Sequence, residues 1–509
     1  MAAEPDPVTI TCADEAAAIR LGHDLALALR GGDLVLLNGD LGAGKTFLAR
    51  ALIRAAATDP ALEVPSPTFT LSQTYDGMGF GQLTHMDLYR LEHPSEVQEL
   101  GLDQALMDGA VLVEWPQNGG LEPDESHHGH ETLTVSISAH ENDHRTFTIS
   151  GTAGVFGRVQ RSLSIRQFLD GNCMERAGRH HLTGDASARA YETIVPQDGT
   201  ASVILMNAPA QPDGPPIRDG KPYSQIARLA EDMRAFAGVD AMLADAGLKV
   251  PAILAYDLEA GLLLIENLGQ GTIIDANRQP IPVRYEAAIE TLVHMHGREW
   301  PDRAALPDGT QHHIPPYDHE AMAIEVDLLP QWYAPFAAGS ALSDEDYRSF
   351  IAIWQRLIDR AQQQEPTLVL RDYHSPNIIW REGESGLART GLIDFQDAVM
   401  GPAAYDVASL VQDARVDMPA ELEATLTNHY CDLRAKVGEF DEAAFRETLA
   451  IMAAQRATKI LGIFVRLSKR DGKHQYLDHL PRIEAYLERA CRHPVLAEIK
   501  RWKDTVLAR

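Results

Sequence analysis

The sequence has few cysteines, and their arrangement indicates neither a crosslink nor a metal site. Its 509 residues include Cys12, Cys173, Cys431 and Cys491, which are widely scattered and form no C-x-x-C pair. A disulfide framework and a zinc site are therefore not indicated.

The hydrophobic fraction of 45% is ordinary for a folded protein. A chain of this length exceeds the size of one hydrophobic core, so we expect two or three domains.

Basic residues are also scarce: Lys and Arg number 45 against 73 Asp and Glu, which gives a formal net charge of −28. This balance disfavours extensive binding to nucleic acid or to anionic membranes. It still allows nucleotide binding, because a phosphate site needs only local amides, one or two basic groups and a metal. No basic segment followed by an apolar run stands at the N-terminus, and no apolar run approaches the ~20 residues of a membrane span. We expect a cytoplasmic protein without membrane association.

A phosphate-binding motif, GDLGAGKT, follows the short apolar run 34–37 and precedes an apolar helical pattern. This strand–loop–helix context is the one that a Walker A motif requires. Its glycines let successive backbone amides face phosphate oxygens, while Lys45 reaches the β- and γ-phosphates and the Thr46 hydroxyl binds Mg²⁺. The residues predicted to bind ATP in this motif are Gly39, Gly42, Ala43, Gly44, Lys45 and Thr46.

Two carboxylates downstream are candidates for the chemistry of this site. Asp87 lies in the strand-like segment HMDLYRL, and Glu114 ends the apolar run AVLVE. A P-loop ATPase needs a carboxylate at a strand end to orient Mg²⁺ or the attacking water. Asp87 and Glu114 are therefore predicted to act at the metal.

The segments SPTFTL, HMDLYRL, ELGLDQAL and LVEWP follow GDLGAGKT in that order. With these motifs, residues 10–150 resemble the TsaE-type ATPase of bacterial tRNA threonylcarbamoyladenosine synthesis. That family has a small P-loop fold, joins partner proteins of the modification complex and hydrolyses ATP. The resemblance implies that Thr68 lies in a loop that senses the γ-phosphate, that Asp87 and Glu114 act at Mg²⁺, and that Trp115 lies beside the nucleotide.

Small residues at 151–158, GTAGVFGR, mark the predicted end of the first domain. We assign residues 1–152 to a P-loop ATPase domain, 153–162 to a linker and 163–509 to a second domain. The second domain is predicted to have a strand-rich small lobe, 163–270, and a helical lobe, 271–509. The predicted fold class is an α/β P-loop NTPase domain followed by an α+β, bilobal, protein-kinase-like domain.

The predicted small lobe has five short strands and a helical pattern over 221–247. Amides of the turn at Gly184, Asp185 and Ser187 are predicted to cover ATP phosphates, with Arg189 nearby. The apolar strand GLLLIENLG is predicted to pass beneath the adenine, and its end, Glu266 to Leu268, to form the hinge. This lobe therefore offers a second ATP site.

The segment RDYHSPN places Asp372 five residues before Asn377, which is the D-x-x-x-x-N spacing of a kinase catalytic loop. In that loop Asp orients and deprotonates the acceptor hydroxyl, and Asn holds a metal. Asp394 follows after a strand, a turn and a second strand, where the second metal-binding carboxylate belongs. The sequence therefore predicts phosphoryl transfer from ATP with Mg²⁺. Gln396 replaces the glycine of a DFG motif and no long activation loop follows, which argues against a protein kinase.

These motifs resemble the aminoglycoside phosphotransferase and choline kinase superfamily. Within it, LTGDASARAYE, ILMNAP, LLLIENLG, RDYHSPN and IDFQDAVMGPAAYDVASL most resemble the anomeric sugar kinases that act on N-acetylmuramate and N-acetylglucosamine in cell-wall recycling. The resemblance, over residues 165–490, implies transfer of the γ-phosphoryl group to the anomeric hydroxyl of an amino sugar. Leu370 stands where kinases usually have His, and ILMNAP lacks the lysine that normally contacts the α- and β-phosphates. Arg189 and Lys221 are candidates to replace that lysine.

Two other functions stay open for the second domain. It could act on an aminoglycoside or another amino-alcohol, which the acidic composition allows, or it could be an inactive nucleotide-gated regulator that lacks the strand lysine. The acidic and aromatic segment 317–333 suits a polar small-molecule pocket or an acidic helix with core aromatics equally well. Asp406 is predicted to cap a helix or brace a loop.

Overall fold

The computed structural model describes residues 6–121, 129–140, 144–182, 189–210 and 214–507. The chain forms two compact units, Met1–Leu205 and Met206–Arg509. This division lies downstream of the predicted boundary between residues 152 and 163. The assignment of domains 1–152 and 163–509 stays a prediction.

The first unit combines a large sheet with flanking helices. Its elements, in chain order, are β1 (Val8–Cys12), α1 (Glu15–Ala28), β2 (Leu34–Asn38), α2 (Lys45–Ala56), β3 (Ser72–Met78), β4 (Gly81–Asp87), α3 (Glu96–Glu99), α4 (Leu102–Asp108), β5 (Gly109–Glu114), β6 (Thr132–Ala139), β7 (Arg145–Gly151), α5 (Ala153–Asp170), β8 (Gly178–Leu182) and β9 (Ala190–Val195). Strand β10 (Val203–Asn207) contains the boundary between the units.

The large sheet has seven strands in the order β1-β7-β6-β2-β5-β4-β3. Strand β2 is parallel to β5 and β6, and β4 is parallel to β5, whereas the outer pairs are antiparallel. Side chains of β2 alternate between two apolar clusters: Val35 and Leu37 face one, and Leu34 and Leu36 face the other. A strand buried on both faces explains why residues 34–37 form an unbroken apolar run.

Residues 153–162, predicted as a linker, form the first ten residues of helix α5 instead of an irregular segment. Val155, Phe156 and Val159 share one helical face and join the core cluster of the large sheet. Burial of these three side chains stabilises a helix that the small neighbouring residues alone would not favour.

A buried ion-pair cluster connects α1 with α5 and with the hairpin β8–β9. Asp24 on α1 accepts hydrogen bonds from Arg166 Nε at 3.0 Å and from Arg179 Nη1 at 2.8 Å. Arg179, on β8, also donates from Nε to Glu192 on β9 at 2.7 Å. We name Asp24, Arg166, Arg179 and Glu192 the Asp24 cluster. Its contacts connect β8 and β9 with α1 and α5 of the first unit.

The second unit is mainly helical. Its elements are β11 (Pro216–Arg218), β12 (Lys221–Pro222), α6 (Tyr223–Ile226), α7 (Met233–Asp245), β13 (Ile253–Asp257), β14 (Leu262–Glu266), α8 (Pro282–His296), β15 (Arg303–Ala305), β16 (Gln311–His313), α9 (His319–Val326), α10 (Ala334–Ala338), α11 (Asp344–Ala361), β17 (Pro366–Val369), β18 (Ile378–Trp380), β19 (Thr390–Leu392), β20 (Val399–Pro402), α12 (Ala404–Val411), α13 (Ala420–Val437), α14 (Glu442–Asp471), α15 (Leu480–Ala490) and α16 (Ala497–Val506).

The predicted five-stranded sheet is present, in the order β13-β14-β10-β9-β8. The helical pattern predicted over 221–247 is broken into α6 and α7. Arg371 causes part of the break, since its Nη1 donates to the carbonyls of Ala227 and Arg228 at 2.8 and 3.2 Å. Asp232 then starts α7 as its N-cap by accepting from the amide of Arg234. The pattern was wrong as one helix because a distant side chain takes carbonyls that a continuous helix needs.

Helix α14 is the central helix of this unit and spans 30 residues. It is long and apolar enough to cross a membrane by length and composition, but 78% of its most apolar window is buried inside the structure. A core helix of a globular domain has this property, since it is apolar on most of its faces.

Candidate active sites

The P-loop connects β2 to α2 and adopts backbone angles that glycine favours. Gly42 and Gly44 have φ of 81° and 107°, and a Cβ at Gly39 would lie 2.6 Å from the carbonyl oxygen of Ile137. Lys45 Nζ donates to the carbonyls of Gly39 and Asp40 at 2.6 and 2.9 Å. The loop therefore curls around the lysine at the N-terminus of α2, where phosphate oxygens can replace these carbonyls.

Neighbouring parallel strands bring Asp87 and Glu114 to this loop. Asp87 pairs in register with Glu114, which pairs with Leu37 at the end of β2. Thr46 Oγ1 donates to Glu114 Oε2 at 2.9 Å, and Thr68 Oγ1 donates to Asp87 Oδ2 at 2.6 Å. Hydroxyl and carboxylate oxygens are the ligands that Mg²⁺ prefers, so these residues fit a magnesium site.

An aromatic wall closes the same site. The ring centroid of Trp115 lies 3.6 Å from Lys45 Nζ, and Tyr89 packs against Trp115 with ring centroids 5.0 Å apart. Burial lowers the pKa of Lys45, although Glu114, Asp87 and Asp40 favour its charged form. The residues lining this cavity of 340 Å³ are Leu41, Gly42, Gly44, Lys45, Thr46, Phe47, Ser66, Thr68, Asp87, Tyr89, Glu114 and Trp115.

His85 is a functional candidate that the sequence analysis did not identify. It is fully buried, and its Nε2 lies 2.9 Å from Glu114 Oε1. The sequence did contain an indication of this role. His85 and Asp87 are two residues apart on β4, and because side chains alternate along a strand, they lie on the same face of the sheet. His85 therefore positions Glu114 through one carboxylate oxygen, while Thr46 contacts the other oxygen.

The second site is built on the catalytic loop between β17 and β18. Asn377 Nδ2 donates to the main-chain oxygen of Asp372 at 2.9 Å and to Asp394 Oδ2 at 3.3 Å. The pairing of Ile378 with Leu392 in the β18–β19 hairpin places Asn377 and Asp394 side by side. The structure thus brings together Asp372, Asn377 and Asp394, as the motif spacing predicted.

Charges around Asp372 favour its ionised form. Burial would raise its pKa, but the cations Lys459, Arg456 and Arg371 lower it below the ordinary value. Burial likewise lowers the pKa of His374 to about 4, so its imidazole is neutral near pH 7. Asp372 is therefore a carboxylate at neutral pH, the form that can accept a proton.

Buried acids brace this catalytic loop. Asp406 accepts from the amides of Leu370 and Arg371 at 2.7 and 2.9 Å, as expected for a loop-bracing residue. Asp413 accepts from the amide of Ser375 at 2.8 Å. The loop is thus held by carboxylates in a chain where Leu370 replaces the usual histidine.

The acidic segment 317–333 supplies internal partners. Glu325 accepts from Arg371 and lies 2.7 Å from Lys459 Nζ. Asp327 accepts from Tyr347 at 2.8 Å and from Gln331 at 2.9 Å. These contacts agree with an acidic helix packed in the core, which was one of the two interpretations.

The remaining predicted ATP contacts have different positions. Gly184, Asp185 and Ser187 lie outside the described residues, and Arg189 directly precedes β9. Glu266 ends β14, where its carboxylate accepts from Lys249 Nζ at 2.6 Å, and Leu268 follows it. The roles of Arg189, Glu266 and Leu268 at ATP stay predictions.

Lys221, the other candidate for the absent strand lysine, lies 3.3 Å from Glu320. It lines a cavity of 430 Å³ together with Gln396, which donates to Asp394 Oδ1 at 3.0 Å. This position leaves the prediction for Lys221 open.

Asn377 and Asp394 also fit a magnesium site. Mg²⁺ is commonly bound by one or two carboxylates together with substrate phosphates and water. Asp394 would supply the carboxylate and Asn377 an amide oxygen, since the nitrogen of Asn377 is used in the hydrogen bonds to Asp372 and Asp394.

Comparisons with known proteins identify both parts of the chain. Residues 12–147 match the family described as threonylcarbamoyl adenosine biosynthesis protein TsaE, and residues 180–445 match the phosphotransferase enzyme family. Both families use ATP, and such enzymes generally require Mg²⁺. The predicted fusion and the predicted fold class of each part are confirmed.

Individual relatives give the same division. The chain is 34% identical over 361 residues to an N-acetylmuramate/N-acetylglucosamine kinase of Caulobacter vibrioides, covering 68% of this chain and 96% of that protein. It is 34% identical over 325 residues to the protein of the same name from Pseudomonas aeruginosa, covering 62% and 85%. The TsaE protein of Rickettsia conorii is 46% identical over 98 residues, covering 19% of this chain and 55% of that protein. The chain belongs to the phosphotransferase enzyme family and carries a TsaE-type ATPase domain in its N-terminal part.

Proposed function

We propose that the second domain is an ATP-dependent kinase that phosphorylates the anomeric hydroxyl of N-acetylmuramate and N-acetylglucosamine, in cell-wall recycling. The single observation that carries this proposal is the junction at Asn377, whose amide links the loop of Asp372 to Asp394. Similarity to sugar kinases over 96% of a relative supports the choice of acceptor. An aminoglycoside or amino-alcohol acceptor and an inactive regulator have no comparable support.

Each residue of this site has a distinct task in the proposed reaction. The Asp372 carboxylate accepts a hydrogen bond from the sugar hydroxyl and takes its proton as the hydroxyl oxygen bonds to the γ-phosphorus. The bond between the γ-phosphorus and the bridging oxygen breaks in the same step, and ADP leaves with that oxygen. Asn377 and Asp394 would hold Mg²⁺, which neutralises phosphate charge when it is bound. Asp406 keeps the loop in position by binding two of its amides.

The test is to incubate the protein with labelled ATP and a panel of sugars, aminoglycosides and choline. Asp372→Ala is expected to abolish formation of sugar 1-phosphate, whereas Lys45→Ala is expected to leave it. Asp359→Ala, which changes a carboxylate that is 69% exposed, is the control. Equal loss in the Asp372 and Lys45 variants would contradict independent sites. Phosphorylation of none of the acceptors would favour the regulator.

For the first domain we propose ATP hydrolysis in support of tRNA threonylcarbamoyladenosine modification, together with partner proteins of that complex. Support comes from the oxygen ligands Thr46, Asp87 and Glu114 at the P-loop and from the TsaE match over residues 12–147. This activity and the kinase both use cytoplasmic substrates, so we place the protein in the cytoplasm. Hydrolysis is expected to be slow alone and to rise when the partner proteins are added. Rapid hydrolysis by the isolated chain would contradict this role.

A further inference from the structure

Helix α14 presents two cations on one face beside the kinase base. Lys459 and Arg466 are seven residues apart, which is close to two helical turns, so they share a face. Lys459 Nζ lies 2.7 Å from Glu325 Oε1 and 3.5 Å from the hydroxyl of Tyr405. The guanidinium carbon of Arg466 lies 5.0 Å from the ring centroid of Tyr223.

Arg466 lies outside the ion pairs that neutralise the other cations near the catalytic loop. Glu325 is a fully buried carboxylate that forms ion pairs with both Arg371 and Lys459. Arg466 has no carboxylate within ion-pair distance among the residues that the structure describes, and its buried Nε has no hydrogen-bond partner there. The nearby Asp471 is paired with Arg470, from Nε to Oδ1 at 2.7 Å. A half-buried guanidinium without an anion is costly unless a ligand supplies one.

Lys459 lies near Asp372 and is the cation that lowers its pKa most. Arg371 directly precedes Asp372 in the chain, and Arg371 and Lys459 both pair with Glu325. Lys459 is therefore adjacent to the catalytic loop. Arg466 lies about 10 Å further along α14, at 1.5 Å rise per residue. A sugar ring with an acidic substituent extends over a distance of this order.

We propose that Arg466, stacked on Tyr223 and with Lys459 beside it, binds the carboxylate of an acidic N-acetylated sugar. This inference rests on the proposed function and assigns the acceptor preference within it. N-acetylmuramate carries a lactyl carboxylate that N-acetylglucosamine lacks, and guanidinium–carboxylate hydrogen bonds are among the strong ones. Arg466 thereby favours the acid over the neutral sugar, and its positive charge disfavours positively charged aminoglycosides.

The test compares kcat/KM for N-acetylmuramate, its methyl ester and N-acetylglucosamine. Arg466→Gln is expected to lower kcat/KM for the acid by about 10- to 100-fold, mainly through KM, and to change the two neutral sugars less than about twofold. Arg466→Lys is expected to restore part of the loss. Arg446→Gln removes the same charge from the opposite face of α14, where Arg446 pairs with Glu442, and is the matched control.

The outcomes separate this inference from the proposed function. Phosphorylation of neither sugar by the unaltered protein contradicts the proposed function. Phosphorylation of both sugars, with equal losses for the acid and the neutral sugars in Arg466→Gln, overturns the carboxylate site. An unaltered preference for the acid in Arg466→Gln overturns it as well.

Discussion

At the scale of single residues, His85 couples the interior of the large sheet to the ATPase site. Its ring occupies a fully buried position on β4 and contacts one oxygen of Glu114. The other oxygen of Glu114 accepts from Thr46, so the carboxylate is fixed from two sides. A fixed carboxylate needs no reorganisation when it acts at a metal or at a water molecule.

His85→Ala is therefore expected to lower kcat for ATP hydrolysis about tenfold, as loss of an outer-shell partner commonly does. The KM for ATP should change little, because Lys45 and the loop amides are untouched. Steady-state hydrolysis with the partner proteins present measures both constants. Kinase activity of the same variant is the internal control. A rise in KM with unchanged kcat would contradict a role through Glu114.

The ionisation of Asp240 makes the free energy of unfolding depend on pH. It is buried on α7, its Oδ1 has no hydrogen-bond partner among the described residues, and burial raises its pKa to about 7. Lys249 favours its ionised form, whereas Glu266 disfavours it. The unfolded chain loses this proton near pH 3.9, so the folded state is the more protonated one from about pH 4 to 7. The free energy of unfolding therefore falls as pH rises through this range.

Asp240→Asn keeps the shape of the side chain and removes its titration. The thermal unfolding midpoint of the unaltered protein should fall relative to that of the variant between about pH 4 and pH 7. Circular dichroism melts at four pH values within that range measure the difference. Parallel pH profiles for the two proteins would show that Asp240 is ionised in the folded state.

At the scale of elements, the placement of α14 depends on Gly462. A Cβ at this position would lie 2.4 Å from the carbonyl carbon of Leu328 and 2.5 Å from its oxygen. Backbone atoms cannot rotate away as a flexible side chain can, so α14 would have to move. Gly462 lies between Lys459 and Arg466, and any shift of the helix moves both cations.

Gly462→Ala is expected to destabilise the second unit by about 1–3 kcal/mol, as overpacking does, and to lower kinase activity. Gly157→Ala is the matched control, because Gly157 is also helical but a Cβ added there would have nothing within 4 Å. That control should be neutral or stabilising by up to ~1 kcal/mol. Denaturant unfolding of both variants, with kinase assays, makes the comparison. Similar effects of the two substitutions would contradict the close approach.

The elements also show which parts of the molecule the sequence could predict. Asp87 and Glu114 were predictable because each ends an apolar strand, and parallel strands bring such ends together. The break between α6 and α7 was not predictable, because it depends on Arg371, which is distant in the chain. The contact of Glu325 with Lys459 likewise arises from packing of α9 and α14, and no local pattern in either helix encodes it.

At the scale of the whole molecule, the Asp24 cluster anchors the hairpin β8–β9 within the first unit. Arg179 is 1% exposed and contacts both Asp24 and Glu192. Burial would lower its pKa, but the two carboxylates raise it above the ordinary value. Glu192 therefore depends on this guanidinium for neutralisation, whereas Asp24 is shared between Arg179 and Arg166.

Arg179→Met is expected to destabilise the first unit by about 3–5 kcal/mol, because it leaves buried carboxylates without this partner. Arg176→Met alters an exposed arginine three residues earlier and should stay within about 0.5 kcal/mol. Proteolysis under native conditions, followed by mass spectrometry, would locate the weakened region at α1, α5 and β8. Equal resistance of both variants would contradict an essential ion pair.

The Asp24 cluster also bears on how genes for the two parts could separate or recombine. A protein ending at residue 152 would keep Asp24 but lose Arg166 and Arg179, its two cationic partners. A protein beginning at residue 163 would keep both arginines and lose the aspartate. Each separated protein would retain a charged side chain whose ion-pair partner is absent. If the two parts become separate genes, we therefore expect substitutions at position 24 or 179 in the proteins that those genes encode.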